Sequence, residues 1–318
     1  MLLANISSVV QYQASQERLL FGTLAVGSSC CFLYISAVLL FTLRSKRVFC
    51  ETSRYILLFN LLFADTAHLV SNIMLYLLAS LRIKVTYYVC GVFVLLSVFT
   101  ATISPLTLVV MSLERYVAVC YPLRHATVFT TKSTGMAIAL VWAFSVVHIL
   151  TRFFILLYVF TKMPVNVQLT NICSKETIFA APIFNDFETA YAITVFLSAG
   201  AAILVSYIGV ALVARSASAD KASARKALQT LLLHLLQLSL ILTSTFFSII
   251  IIAIGRSVGR LTLIRVYNVC FVCLSILPRC LSALIYGLRD QTIRPVLIGN
   301  LCLCGRGSHF LNKHNNFN

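Results

Sequence analysis

The chain has 318 residues, 60% of them hydrophobic and only 11% charged, with a net charge of +16 and a mean hydropathy of +0.94. A water-soluble domain averages about 25% charged residues, so most of this surface is not built for water. The positive excess does not mark a nucleic-acid binder, because its placement along the chain accounts for it otherwise.

A bilayer crossing takes roughly 20 mostly apolar residues in one run. Seven such runs follow one another at about 20–43, 55–80, 88–119, 134–158, 189–214, 227–254 and 262–287. Short connections leave no room for a second globular unit, and no internal repeat is visible. The expected architecture is an all-α, seven-transmembrane helix bundle. Residues 1–19 form its N-terminal segment, 20–287 the membrane domain and 288–318 a tail with a short amphipathic helix. With the N-terminus outside, fifteen Lys and Arg fall on the inner segments and eight on the outer ones, while Arg152 and Arg279 lie within spans. Positive charge gathers on the cytoplasmic side, where it also meets anionic membrane lipids.

The first nineteen residues are too polar, and too poor in early Lys or Arg, for a cleaved signal peptide. Asn5-Ile6-Ser7 is a glycosylation acceptor if this end is outside. Span two carries Asn60-Leu61-Leu62-Phe63-Ala64-Asp65. An acid at that depth is expensive and marks function by default.

Span three ends in Met111-Ser112-Leu113-Glu114-Arg115-Tyr116-Val117-Ala118-Val119-Cys120-Tyr121-Pro122-Leu123. An Arg at the inner membrane edge needs a partner while solvent is excluded, and Glu114 is adjacent. Span six opens Lys226-Ala227-Leu228-Gln229-Thr230 with His234 following, and span seven ends Leu281-Ser282-Ala283-Leu284-Ile285-Tyr286-Gly287-Leu288-Arg289. Beyond it, the pattern around Arg289–Ile298 suits a helix lying on the inner leaflet. Cys302 and Cys304 follow; they are either palmitoylated or ordinary free thiols.

These stretches resemble the rhodopsin-like G-protein-coupled receptors. The Arg-Tyr-Val-Ala-Val-Cys-x-Pro-Leu run, the Lys-Ala-x-x-Thr-x-x-x-His pattern and the span-seven ending resemble the odorant-receptor branch, and Phe41-Thr42-Leu43-Arg44-Ser45-Lys46 with the Ser-x-Leu-Ile-Tyr-like ending resembles a group of them best known from fishes. The resemblance covers about 32 to 295. It implies a plasma-membrane receptor, not an enzyme, that binds a small-molecule odorant and activates a heterotrimeric G protein of the cAMP-raising kind, with no cofactor or metal. An orphan non-olfactory receptor, or a seven-span transporter or channel, is the alternative.

Site residues follow from the same resemblance. Glu114, Arg115, Tyr116, Tyr207, His234 and Tyr286 belong to the G-protein-coupling switch. Tyr207 has the alternative of a membrane-interface aromatic, and His234 is either a protonation-sensitive contact or a packed neutral histidine. Asp65 corresponds to the family's sodium-binding acid, with Ser36, Ser104 and Ser282 at the accompanying polar positions. Arg279 either ion-pairs with Asp65 in the sodium's place or binds helix carbonyls or a water chain. Cys90 and Cys173 correspond to the family's disulfide between helix three and the second outer loop. The ligand pocket would be lined by Ser97, Val98, Ala101, Thr102, Tyr191, Val195, Thr245 and Ile249, apolar with scattered hydroxyls.

Three departures stand out. Ser36 replaces an Asn, and Ser282-Ala283 replaces Asn-Pro, which removes a helix-bending proline. Ser97 stands where amine receptors carry Asp, and Ile276 where opsins carry the retinal-binding Lys. Arg152, Asp186 and Glu188 near the outer mouth either select a charged ligand or are solvated rim charges.

Overall fold

The structure is a computed structural model. It describes residues 2–81, 83, 85–161, 173, 178–179, 182–216, 225–226, 228–233, 235–236, 239, 265–266, 269–277, 279, 287, 293–295 and 297–299. Backbone in lipid must satisfy its own hydrogen bonds, and an unbroken apolar segment does so as a helix. The helices are α1 (Leu2–Ser45), α2 (Arg47–Glu51), α3 (Ser53–Ser80), α4 (Tyr87–Cys120), α5 (Pro122–Val128), α6 (Thr131–Thr161) and α7 (Pro182–Ser216).

Five stretches among the described residues are long and apolar enough to cross a bilayer: Leu20–Ser45, Ser53–Ser80, Tyr87–Cys120, Thr131–Tyr158 and Asp186–Val213. They match the first five expected spans to within a few residues. The sixth and seventh are described in part, as helical residues around 225–239 and 265–279. Phe271–Ile276 of the seventh is π-helical. Pro278, two residues on, brings no backbone N–H for the carbonyl of Leu274, and a widened turn is a usual response to such a gap.

Two elements differ from expectation. The first helix begins at Leu2, well before the apolar run, because no Gly or Pro stands between Leu2 and Phe21 to stop it. The connection after span three is a helix of its own, α5, with Pro122 at its first turn. There the missing N–H costs nothing and the fixed φ suits helix entry.

The third span, α4, is the hub and packs against α3, α5, α6 and α7. It passes unbroken through the buried Pro105. One apolar cluster joins α1, α2, α3 and the seventh span, with Phe32, Leu39, Phe49, Leu62, Phe271 and Ile276 among its members. The tail docks on this cluster through Ile293 and Leu297, while Arg294 and Ile298 stay exposed, as an amphipathic surface helix should. Gly287 permits the docking: a Cβ there would lie 2.9 Å from Leu297 and 3.5 Å from Leu39.

Candidate functional site

At the inner end of α4, Glu114 is only 4% exposed. Its two oxygens face different partners: Oε2 lies 3.3 Å from Arg115 Nε, and Oε1 lies 3.2 Å from His125 Nε2. His125 stands on α5, so the inner loop reaches back over the end of the helix it follows. The loop is itself anchored, since Ser53 Oγ donates to the Phe129 carbonyl at 2.8 Å and Thr131 Oγ1 to that of Glu51 at 3.1 Å. Sequence reading singled out Glu114 and Arg115 but missed His125. The signal was available: Pro122 is a helix-opening proline, and a helix starting there turns residue 125 back toward α4.

Tyr116 and Tyr207 converge in a cluster with Val119, Val210, Leu228 and Leu231, which joins the inner ends of α4, α7 and the sixth span. Gly209 makes room for Tyr116, whose ring occupies the place a Cβ would take. His234, Ser282 and Tyr286 lie outside the described residues, as do Thr245, Ile249, Cys302, Cys304 and the side chain of Asn5.

Halfway along the 28-residue α3 sits Asp65, 1% exposed. Ser104 Oγ on α4 donates to its Oδ1 at 2.6 Å, and Arg279 Nη1 from the seventh span donates to the same oxygen at 3.3 Å. Of the two openings left for Arg279, the ion pair is the one the structure holds. Ser36 Oγ and Asp65 Oδ2 are buried with no hydrogen-bond partner among the described residues. More than a turn nearer the start of α3 a neutral relay ties three spans, as Trp142 Nε1 donates to Asn60 Oδ1 at 2.9 Å and Asn60 Nδ2 to Thr107 Oγ1 at 3.0 Å.

On the outer side, Cys90 and Cys173 form a disulfide across 83 residues, buried with Val94, Val98, Leu156, Ile178 and Phe184. It ties Cys173 to the first turn of α4. Ser97 Oγ donates to Asn72 Oδ1 at 2.6 Å, and Asn72 Nδ2 meets His68 Nε2 at 2.8 Å. His68 Nδ1 lies 2.9 Å from the Ser97 carbonyl. That carbonyl can only accept, so the proton sits on Nδ1 and the whole chain of polar groups is satisfied without charge. The Ser97 hydroxyl is thus committed to α3. Of the other expected pocket positions, Val98, Thr102 and Val195 are buried, while Ala101 and Tyr191 are half-buried.

Arg152 corrects the picture of a solvated rim. Its side chain is 1% exposed, and it donates through Nη2 to Glu188 Oε2 on α7 and through Nε to His148 Nε2 at 3.3 Å. Burial forces such pairing, because a lone charge in this environment is far costlier than a matched one. Asp186 is exposed.

A bundle of apolar spans around a hub helix, stapled outside by a disulfide and carrying Glu-Arg-Tyr at its inner end, defines a membrane receptor. The chain matches the 7 transmembrane receptor (rhodopsin family) across residues 36–286, and it belongs to that family, a family of receptors and not of enzymes. It is 33% identical to odorant receptor 131-2 of Danio rerio over 261 residues, 81% of this chain and 79% of that one. Shorter matches are olfactory receptor 1500 of Rattus norvegicus, 44% identical over 43 residues (14% of each chain), and the alpha-1A adrenergic receptor of Bos taurus, 41% over 58 residues (18% of this chain, 12% of that one).

Proposed function

We propose that this chain is an odorant receptor that couples an outer ligand cavity to a heterotrimeric G protein of the cAMP-raising type. It sits in the plasma membrane with residues 1–19 outside and the tail from 288 inside. A ligand shifts the bundle only by binding one arrangement of helices better than the other. The inner end supplies the part that moves. Glu114 holds Arg115 at rest; when the spans part, Arg115 leaves it and offers its donors to the G protein, with Tyr116, Tyr207, His234 and Tyr286 re-packing around it.

The observation that carries this reading is the buried Glu114 held between Arg115 and His125. The likeness to odorant receptor 131-2 over most of both chains supports the odorant class of ligand. In the middle of the membrane, Arg279 supplies to Asp65 the positive charge that sodium supplies elsewhere in the family, with Ser36, Ser104 and Ser282 around it. Agonist affinity is therefore expected to be the same in sodium and in N-methylglucamine medium.

The test is cAMP production by cells displaying the chain, screened against volatile and water-borne small organics. Agonist-driven nucleotide exchange is expected to vanish in Arg115→Ala at unchanged surface display. Exchange that survives that substitution, or ionic current without cAMP, refutes the reading. Glycosylation at Asn5 and acylation at Cys302 and Cys304 are expected accessories, read by glycosidase shift and hydroxylamine-sensitive labelling.

A further inference from the structure

Arg152 lies nine residues from the outer end of α6, about 14 Å into the helix at 1.5 Å per residue, and Glu188 sits in the second turn of α7. The guanidinium carbon lies over two rings, 5.2 Å from the Phe179 centroid and 5.5 Å from that of Phe187. His148 stacks on Tyr191 with centroids 3.7 Å apart. Arginine can only donate, so His148 Nε2 accepts from Arg152 Nε and carries no proton of its own. The cluster therefore holds one positive and one negative charge and is neutral overall.

Its hydrogen-bonding capacity is not balanced. A guanidinium has five N–H donors, and the described residues engage two of them, at Glu188 and His148. The Tyr191 hydroxyl, against the same imidazole, is buried with no partner among the described residues. Buried donors without acceptors are costly. Among the described residues the Tyr191 hydroxyl is such a group, and it stands beside a guanidinium with donors to spare. Phe179 packs against the buried cluster of Val94, Val98 and Phe184 that also holds the Cys90–Cys173 disulfide, which ties one wall of the corner around Arg152 to the protein interior.

We propose that Arg152 and Tyr191 form a recognition subsite for the carbonyl oxygen of a small, otherwise apolar ligand, with Glu188 and His148 orienting the guanidinium. An ammonium brings only donors and is repelled by Arg152. A hydrocarbon leaves the donors as they are. A carboxylate has the right oxygen but sets a second anion beside Glu188, and ranks below a ketone. This rests on the receptor reading for its purpose, but its test reads binding and not signalling.

The experiment uses the full chain in lipid nanodiscs, with 2-heptanone, heptanoate, heptylamine and heptane as probes, and dissociation constants from thermal shift and ligand-observed NMR. The ketone is expected to bind at least tenfold tighter than the amine or the hydrocarbon, with heptanoate between. Tyr191→Phe is expected to erase most of that preference. So is the double variant Arg152→Met/Glu188→Gln, which removes both charges together and leaves neither buried alone. Heptane affinity is expected to stay the same in both variants. No binding of 2-heptanone, equal affinity for all four probes, or a preference that survives both variants overturns the proposal. Loss of nucleotide exchange with the ketone preference intact would count against the receptor reading alone.

Discussion

Two carboxylates on neighbouring spans are both buried and both held by basic side chains, yet their surroundings differ. Asp65 and Arg279 are enclosed, with side chains 1% and 6% exposed. Glu114 is equally hidden at 6%, but its partners Arg115 and His125 are 18% and 31% exposed. Separating the first pair strands two charges in a low-dielectric interior. Separating the second leaves Arg115 and His125 able to reach water or a protein surface. The mid-span pair is a tie, and the inner one is a latch.

The largest effect should come from breaking the tie. Asp65→Asn leaves Arg279 buried without its counter-charge, at a cost of about 3–5 kcal/mol, seen as a lowered melting temperature of the purified receptor. Adding Arg279→Met should recover most of that loss. If the double variant melts no higher than Asp65→Asn alone, the two charges do not stabilise each other. Next in size is the outer staple: Cys90→Ser should cost roughly 2–4 kcal/mol, as disulfide removal does elsewhere, and reduce surface display measured by antibody labelling. Cys173→Ser should add nothing further on top of it.

Opening the latch should change signalling more than stability. Glu114→Gln removes the charge facing Arg115 and His125 and should raise ligand-independent cAMP several-fold, with His125→Phe giving part of that rise. Unchanged basal cAMP in both would mean that Arg115 is not restrained by this carboxylate. The smallest expected effect is in the neutral relay. Trp142→Phe deletes one hydrogen bond to Asn60 and should cost about 1 kcal/mol, with no change in basal cAMP.

Much of this was legible in the amino-acid order. Five of the seven apolar runs coincide with described helices, because burial in lipid makes hydropathy a nearly sufficient signal. Glu114, Arg115 and Asp65 were legible because a charge at membrane depth is too costly to be incidental. The resemblance implied Cys90 with Cys173, and the structure joins them. His125 and the Arg152 cluster were not legible in the same way. One is ordinary loop composition until α5 folds back, and the other looks like rim charge until the loop and α7 close over it. The N-terminal segment read as a polar outer end with no signal-peptide pattern, but a run without Gly or Pro simply continued the helix.

The sequence by itself determined that the chain lives in lipid, how many times it crosses and where charges are too expensive to be idle. Hydrophobic length and charge cost are local sums along the chain. Only the tertiary structure decided which basic side chain answers which carboxylate: Arg279 with Asp65, His125 with Glu114, Arg152 with Glu188. Those partners are separated by 214, 11 and 36 residues, and electrostatic pairing depends on distance in space, which helix packing sets.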